Sequence, residues 1–211
     1  PALNAIRKKF TNAEITFIAA PTVKEFLTPT AFCDQWIPFG KESILKTAKI
    51  IKNSKPEAII LFKNSFSSAL ASVIASVPER IGYARDFRTA MLTTKLQPAK
   101  DKKGRFIPRS MIDYYLELAS KLSCDTSDRK MRLEIDKEAL KNLAGKIPVT
   151  FRPESPLIIL VPGGAYGPSK LWPTERFAQL ADKLVQKYHA TIVVSVAPDP
   201  NEQKIAEKIA S

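Results

Sequence analysis

Histidine is nearly missing from this 211-residue chain: His189 is the only one. That excludes a His-rich metal site and leaves any Ser-His-Asp triad resting on one residue. His189 closes a helical pattern (Gln186-Lys187-Tyr188-His189) and reads as a helix C-terminal residue. Cysteine is scarce as well. Cys33 and Cys124 lie far apart, at neither metal-binding nor redox spacing, and read as two reduced thiols of a cytosolic protein. No apolar run approaches the ~20 residues that a membrane span needs. The first ten residues hold three cations and no long apolar core, which excludes a signal peptide. Glycine is limited to seven positions, and Gly163, Gly164 and Gly167 fall close together. Position 1 is proline rather than methionine, so either the start was removed or the sequence is a piece of a longer one.

What the chain has in excess is positive charge, +12 overall. Residues 1–150 carry 26 Lys/Arg against 15 Asp/Glu, whereas residues 151–211 carry 7 against 6. Within 80–110 there are nine cations and two anions. So local a field attracts an anionic partner (nucleic acid, anionic lipid or a phosphorylated substrate) unless it is only a solubilising surface.

Apolar periodicity alternates between strand and helix. Short strands are expected at Ile15–Ala19, Gln35–Phe39, Ala58–Phe62, Arg80–Tyr83 and Met131–Ile135. Helical patterns occupy Leu3–Phe10, Val23–Leu27, Glu42–Lys52, Ser65–Ser76, Arg109–Leu122 and Lys137–Leu143. Ala84–Pro108 is basic and irregular and reads as a long loop. A proline-rich linker over Lys146–Ser155 separates a second unit: strand 157–161, helix 174–188 capped by Thr174, strand 191–196 and a helix from about 201. The expected fold is α/β, with parallel sheets covered by helices and domains at 1–150 and 151–211. The first unit starts on a helix and the second stops after β-α-β-α, so the fold reads as truncated at both ends.

In an open parallel sheet, ligands bind beyond the carboxyl ends of the strands. The stretch Leu157–Pro173, LIILVPGGAYGPSKLWP, sits there. Gly163, Gly164 and Gly167 let a backbone approach a ligand, the following helix start offers N–H groups, and Lys170 adds a charge. Together these suit a diphosphate, although an ordinary strand-to-helix turn has the same outline. The loop has neither the P-loop spacing nor GxGxxG, which argues against P-loop ATP hydrolysis and a nicotinamide cofactor.

The run PGGAYGPSKLWPTERFAQLADKL resembles the hallmark of the lipopolysaccharide heptosyltransferases, a GT-B glycosyltransferase family, and is closest to its heptosyltransferase II members. Their pattern Pro-Gly-x-x-[aromatic]-Gly-Pro-x-Lys-x-Trp-Pro is matched by Pro162, Gly163, Tyr166, Gly167, Pro168, Lys170, Trp172 and Pro173. Upstream, LFKNSFSSALASVIASVPERIGYARDFRTAML resembles the family's Asn-Ser-Phe-x-Ser-Ala-Leu segment. The Pro-x-Arg-x-Gly-[aromatic] strand that follows it in the family is matched by Pro78, Arg80, Gly82 and Tyr83. Met111–Ala119 fits the next helix, so the resemblance covers nearly the whole chain.

The resemblance implies a GT-B enzyme of two Rossmann-like domains with its active site in the cleft between them. The C-terminal domain would bind ADP-heptose, with Lys170 on the donor phosphates and the backbone of Gly163, Gly164, Ala165, Tyr166 and Gly167 lining the nucleotide site. Tyr166 serves either as a wall of that site or as packing; Trp172 and Pro173 read as packing at the helix start. The basic N-terminal half would hold the anionic lipopolysaccharide core, with Lys63, Arg85, Arg88 and Arg109 as candidate contacts. The implied reaction is an inverting displacement at the sugar C1, without metal or other cofactor, in the cytoplasm at the inner membrane surface. Family members begin with a strand whose following loop carries the expected aspartate base, and they carry Asp-[Ser/Thr]-Gly-x-x-His late in the donor domain. Neither occurs in this sequence. Asp86 and Asp113 read as surface or helix residues, so the catalytic base is expected outside these 211 residues, which alone would be inactive. A GT-B enzyme with another nucleotide-sugar donor and a basic nucleic-acid-binding protein are the alternatives; no nucleic-acid motif accompanies the basic stretch.

Overall fold

The computed structural model describes residues 1–146, 154–164 and 171–211, with the side chains of 144–146 left aside. The chain divides into two compact units, Pro1–Asp136 and Lys137–Ser211. The division between these units falls ahead of the last helix before the linker.

The first unit runs α1 (Ala2–Lys9), β1 (Thr16–Ala19), α2 (Pro21–Leu27), β2 (Gln35–Pro38), α3 (Ile44–Asn53), β3 (Ala58–Ile60), α4 (Phe66–Ile74), β4 (Glu79–Tyr83), β5 (Thr94–Leu96) and α5 (Met111–Ser120). Pairings β1–β2, β3–β4 and β4–β5 are all parallel, as expected for strands joined through helices. Side-chain alternation along β3 explains the layers. Ile59 packs toward α3 and α4, and Leu61 packs with Ala69 of α4. Ile60 and Phe62 pack on the opposite side, against α1 and α5. The same two-residue period puts Ile81 and Tyr83 of β4 on the α5 side, where Leu118 is fully buried. Helices α3 and α4 start on Ser43 and Ser65, whose hydroxyls accept from Lys46 N and Ser68 N.

The second unit comprises α6 (Lys137–Lys146), β6 (Leu157–Leu160), α7 (Thr174–Tyr188), β7 (Thr191–Val194) and α8 (Pro200–Ala210), with β6 and β7 parallel. His189 is the C-terminal cap of α7 in the left-handed conformation, φ 51°. Thr174 is the first helical residue rather than the cap. Pro173 holds the cap position, and no side chain caps the helix.

Two other expectations change. Residues 131–135 form no strand, and Met131 and Ile135 are about three-quarters exposed. Alternating apolar residues make a strand only where a sheet edge receives them. Conversely, β5 lies inside the basic stretch read as loop. Only Leu96 of its three residues is buried, so its periodicity is too short to see.

Among the described residues, six non-glycine residues adopt left-handed φ. Lys55, Ser76, Ser123 and His189 follow the last turns of α3, α4, α5 and α7. Asp86 and Phe87 stand together after β4.

Asp34 pins the segments that lead into β1 and β2. Its carboxylate accepts from Ile15 N at 2.7 Å and from Arg7 Nη1 at 2.7 Å. The Ile15 amide first, and Arg7 second, hold its carboxyl below the usual range. A depressed folded-state value stabilises the fold above the unfolded value, about 4, and that stabilisation is lost as pH falls through the folded value. Asp34→Asn should therefore flatten the acid side of a stability–pH curve below about pH 4. A variant curve parallel to wild type there would contradict this.

Candidate functional site

The carboxyl edge of β3–β4–β5 gathers the basic residues that the sequence singled out. Arg88 is at its centre and fully buried. Its Nε donates to Tyr83 O at 2.9 Å, Nη1 to Lys63 O at 2.6 Å and Nη2 to Asn64 Oδ1 at 2.7 Å. The guanidinium thus fastens the loop after β3 to the end of β4. Burial works against its charge, and no carboxylate pairs with it among the described residues. Gly82 lies so close that an added Cβ would stand 3.1 Å from Nη2.

From Asn64 the network continues to α5. Asn64 Nδ2 donates to Tyr114 Oη at 2.7 Å, and the Tyr114 ring stacks on Tyr83 with centroids 3.8 Å apart. Tyr83 Oη lies within hydrogen-bond reach of two acceptors that share its one proton, Tyr114 O at 2.7 Å and Glu117 Oε2 at 2.8 Å, and Glu117 is paired with Arg109. Burial and Glu117 together push the Tyr83 hydroxyl far upward, so it stays neutral. Arg85 pairs with Asp86 at 3.0 Å and lies over the Phe106 ring at 4.5 Å. Burial opposes its charge, but Tyr114 and Asp86 outweigh that and hold its value up. Lys63 is exposed and forms no ion pair among the described residues.

Of the four predicted cations, Lys63, Arg85 and Arg109 thus border one solvent-facing edge, while Arg88 is internal and orders the loops that carry the others. Asp86 is an exposed partner of Arg85; Asp113 sits on α5, where Arg129 keeps its carboxyl low. Both match the sequence reading of surface and helix residues.

In the second unit, Pro162, Gly163 and Gly164 follow β6; Ala165, Tyr166, Gly167 and Lys170 lie outside the described residues. Gly163 lies against the carboxylate of Glu202: a Cβ there would stand 2.6 Å from Glu202 Cδ, so a larger residue would displace that side chain. Glu202 also accepts from Ala197 N at 2.8 Å and so ties the end of β7 to α8, beside Gly163. The two helix starts differ. Asp199 caps α8 by accepting from Asn201 N and Glu202 N, whereas Pro173 at the cap position gives α7 no side-chain cap. Trp172 meets Phe177 edge-on at 5.0 Å, the packing role expected for it.

Sequence reading missed Asn64, Tyr114, Glu117 and Glu202. For Glu202 a signal was present, since Asp199 and Glu202 have capping-box spacing. The other three are joined to Arg88, Tyr83 and one another by contacts 24 to 50 residues apart, which no local pattern encodes. Among the described residues, no group of His, Cys, Asp or Glu is placed to hold a metal ion, and no helix is long and apolar enough to cross a membrane.

A family model for glycosyltransferase family 9 (heptosyltransferase) matches residues 44–211, spanning both the basic edge and the β6–α7 loop. Lipopolysaccharide heptosyltransferase 2 of Salmonella typhimurium is 28 % identical over 138 residues, 64 % of this chain and 39 % of that protein. The solved structure of Escherichia coli ADP-heptose lps heptosyltransferase II superposes with a TM-score of 0.74 at 20 % identity, covering 99 % of this chain and 62 % of that one. E. coli heptosyltransferase WaaC, solved with ADP-2-deoxy-2-fluoro heptose, gives a TM-score of 0.63 at 14 % identity over all of this chain and 68 % of that one. The two-domain GT-B fold expected from the sequence is the fold of these structures. The chain spans less than half of the curated relative and under two thirds of the first solved one.

Proposed function

The chain belongs to glycosyltransferase family 9, the heptosyltransferases, and on that premise we propose that it serves in transfer of heptose from ADP-heptose to the inner core of lipopolysaccharide. The observation that carries this is the family match running through both candidate regions, the basic edge and the β6–α7 loop. In this reading the second unit takes the donor. Lys170 and the uncapped start of α7 offset the charge of the departing ADP, and Gly163 gives the diphosphate access to backbone. The first unit takes the acceptor, an anionic glycolipid, through Lys63, Arg85 and Arg109, with Arg88 as their positioning residue. Displacement at the sugar C1 is inverting and needs no metal; a carboxylate base activates the acceptor hydroxyl. The protein works in the cytoplasm, against the inner membrane surface that carries the acceptor, and nucleic acid has no part.

Calorimetric titration with ADP, UDP and GDP tests the donor. ADP should bind at least about tenfold more tightly than the other two, because a site built to hydrogen-bond one base leaves polar groups unpaired with another. Preference for UDP or GDP would reassign the donor while keeping the scaffold. Tight DNA or RNA binding at physiological salt would favour the nucleic-acid reading instead.

A further inference from the structure

Two neighbouring loops of the first unit display an unusual combination of apolar and cationic side chains. Phe87 is 94 % exposed, the most exposed large apolar residue among the described residues. It is also held in a left-handed conformation (φ 60°) directly after Asp86 (φ 55°), which a bulky residue adopts at a cost. The buried Arg88 next to it anchors that turn. The turn therefore holds Phe87 out in water, where an aromatic ring gains nothing unless something covers it.

The second loop returns on itself after β5. Lys100 and Phe106 form an antiparallel bridge, and Ile107 N donates to Ala99 O at 3.0 Å. Asp101 closes the tip by accepting from Lys103 N and Arg105 N and pairing with Arg105. Lys102 and Lys103 are left at the tip, exposed and, like Lys100, without an ion pair among the described residues. The two loops meet where Arg85 and Lys100 both lie over the Phe106 ring, at 4.5 and 5.2 Å.

We infer that these loops are a docking surface for an anionic phospholipid bilayer, with Lys100, Lys102 and Lys103 on the headgroup phosphates and Phe87 in the interfacial layer. Charge complementarity selects the partner. Unpaired lysines gain from a negative surface, and an aromatic ring gains from the boundary between headgroups and chains. A soluble anionic glycan would satisfy the lysines but leave Phe87 without an apolar layer to enter. The inference gives residues to the membrane contact proposed above.

Co-sedimentation of the full chain with sugar-free vesicles tests it. Phosphatidylglycerol-rich vesicles should bind the protein, and phosphatidylcholine vesicles should not. Lys102→Ala/Lys103→Ala should lower the partition coefficient about 30-fold, at roughly fivefold per lysine. Phe87→Ala should lower it about tenfold. Equal binding to both vesicle types, or undiminished binding by these variants, would overturn the inference. So would binding seen only when lipopolysaccharide core is added to the vesicles, since the surface would then belong to the acceptor. Thermal melts of the variants should match wild type, because all three side chains are exposed. ADP titration of the same variants reads the donor reading separately, so failure of one leaves the other measurable.

Discussion

Arg88→Ala is expected to destabilise the first unit by roughly 3–5 kcal/mol, as a reduced midpoint in urea denaturation. The substitution removes three hydrogen bonds; Asn64 Oδ1 loses its donor, while Tyr83 O keeps only Arg85 N and Lys63 O keeps Ser65 N. It also opens a cavity between β4 and the loop after β3, which close packing around Gly82 cannot fill without backbone movement. Arg88→Lys should recover little of the loss. One ammonium on a flexible stem cannot reach three acceptors that a planar fork meets at once. A cost below about 1 kcal/mol for alanine would mean that the two loops are held by other contacts. Since Lys63 and Arg85 ride on those loops, the variant should also weaken acceptor binding, even though its own guanidinium is out of an acceptor's reach.

Lys170→Ala should weaken ADP binding by about 10- to 100-fold, the loss of one charge-assisted hydrogen bond to a phosphate. The context favours an effect of that size. The start of α7 carries no side-chain cap, and Glu202 puts a negative charge against Gly163, so a diphosphate bound at this loop needs a cation as counter-charge. Calorimetry on the intact protein checks this; unchanged affinity would remove Lys170 from the donor site. Glucose- or mannose-nucleotides need not be tried for this purpose, because the diphosphate is common to them all.

The strand–helix alternation was legible because each apolar run is short, bounded by polar turns and set to a period of two or 3.6. The four strand pairings among the described residues are parallel, as continuous apolar runs such as Ala58-Ile59-Ile60 suggested. Residues 131–135 and β5 failed for opposite reasons. The first has alternation with no sheet edge to join, and the second joins an edge with a single buried side chain to betray it. At the site, the sign and position of the charge were legible, but not its depth. Arg85 and Arg88 look alike in sequence, three residues apart. One lies partly exposed over Phe106, and the other is sealed inside and bonded to residues up to 25 positions away.

The left-handed residues that follow α3, α4, α5 and α7 are Lys55, Ser76, Ser123 and His189. None of the chain's seven glycines was placed at these stops. Glycine adopts that conformation without the Cβ clash that costs other residues roughly 1 kcal/mol. The helix ends of this fold therefore operate below their attainable stability, at exposed positions. For anyone seeking a hardier version of the protein, four single-residue changes stand ready that replace no buried side chain.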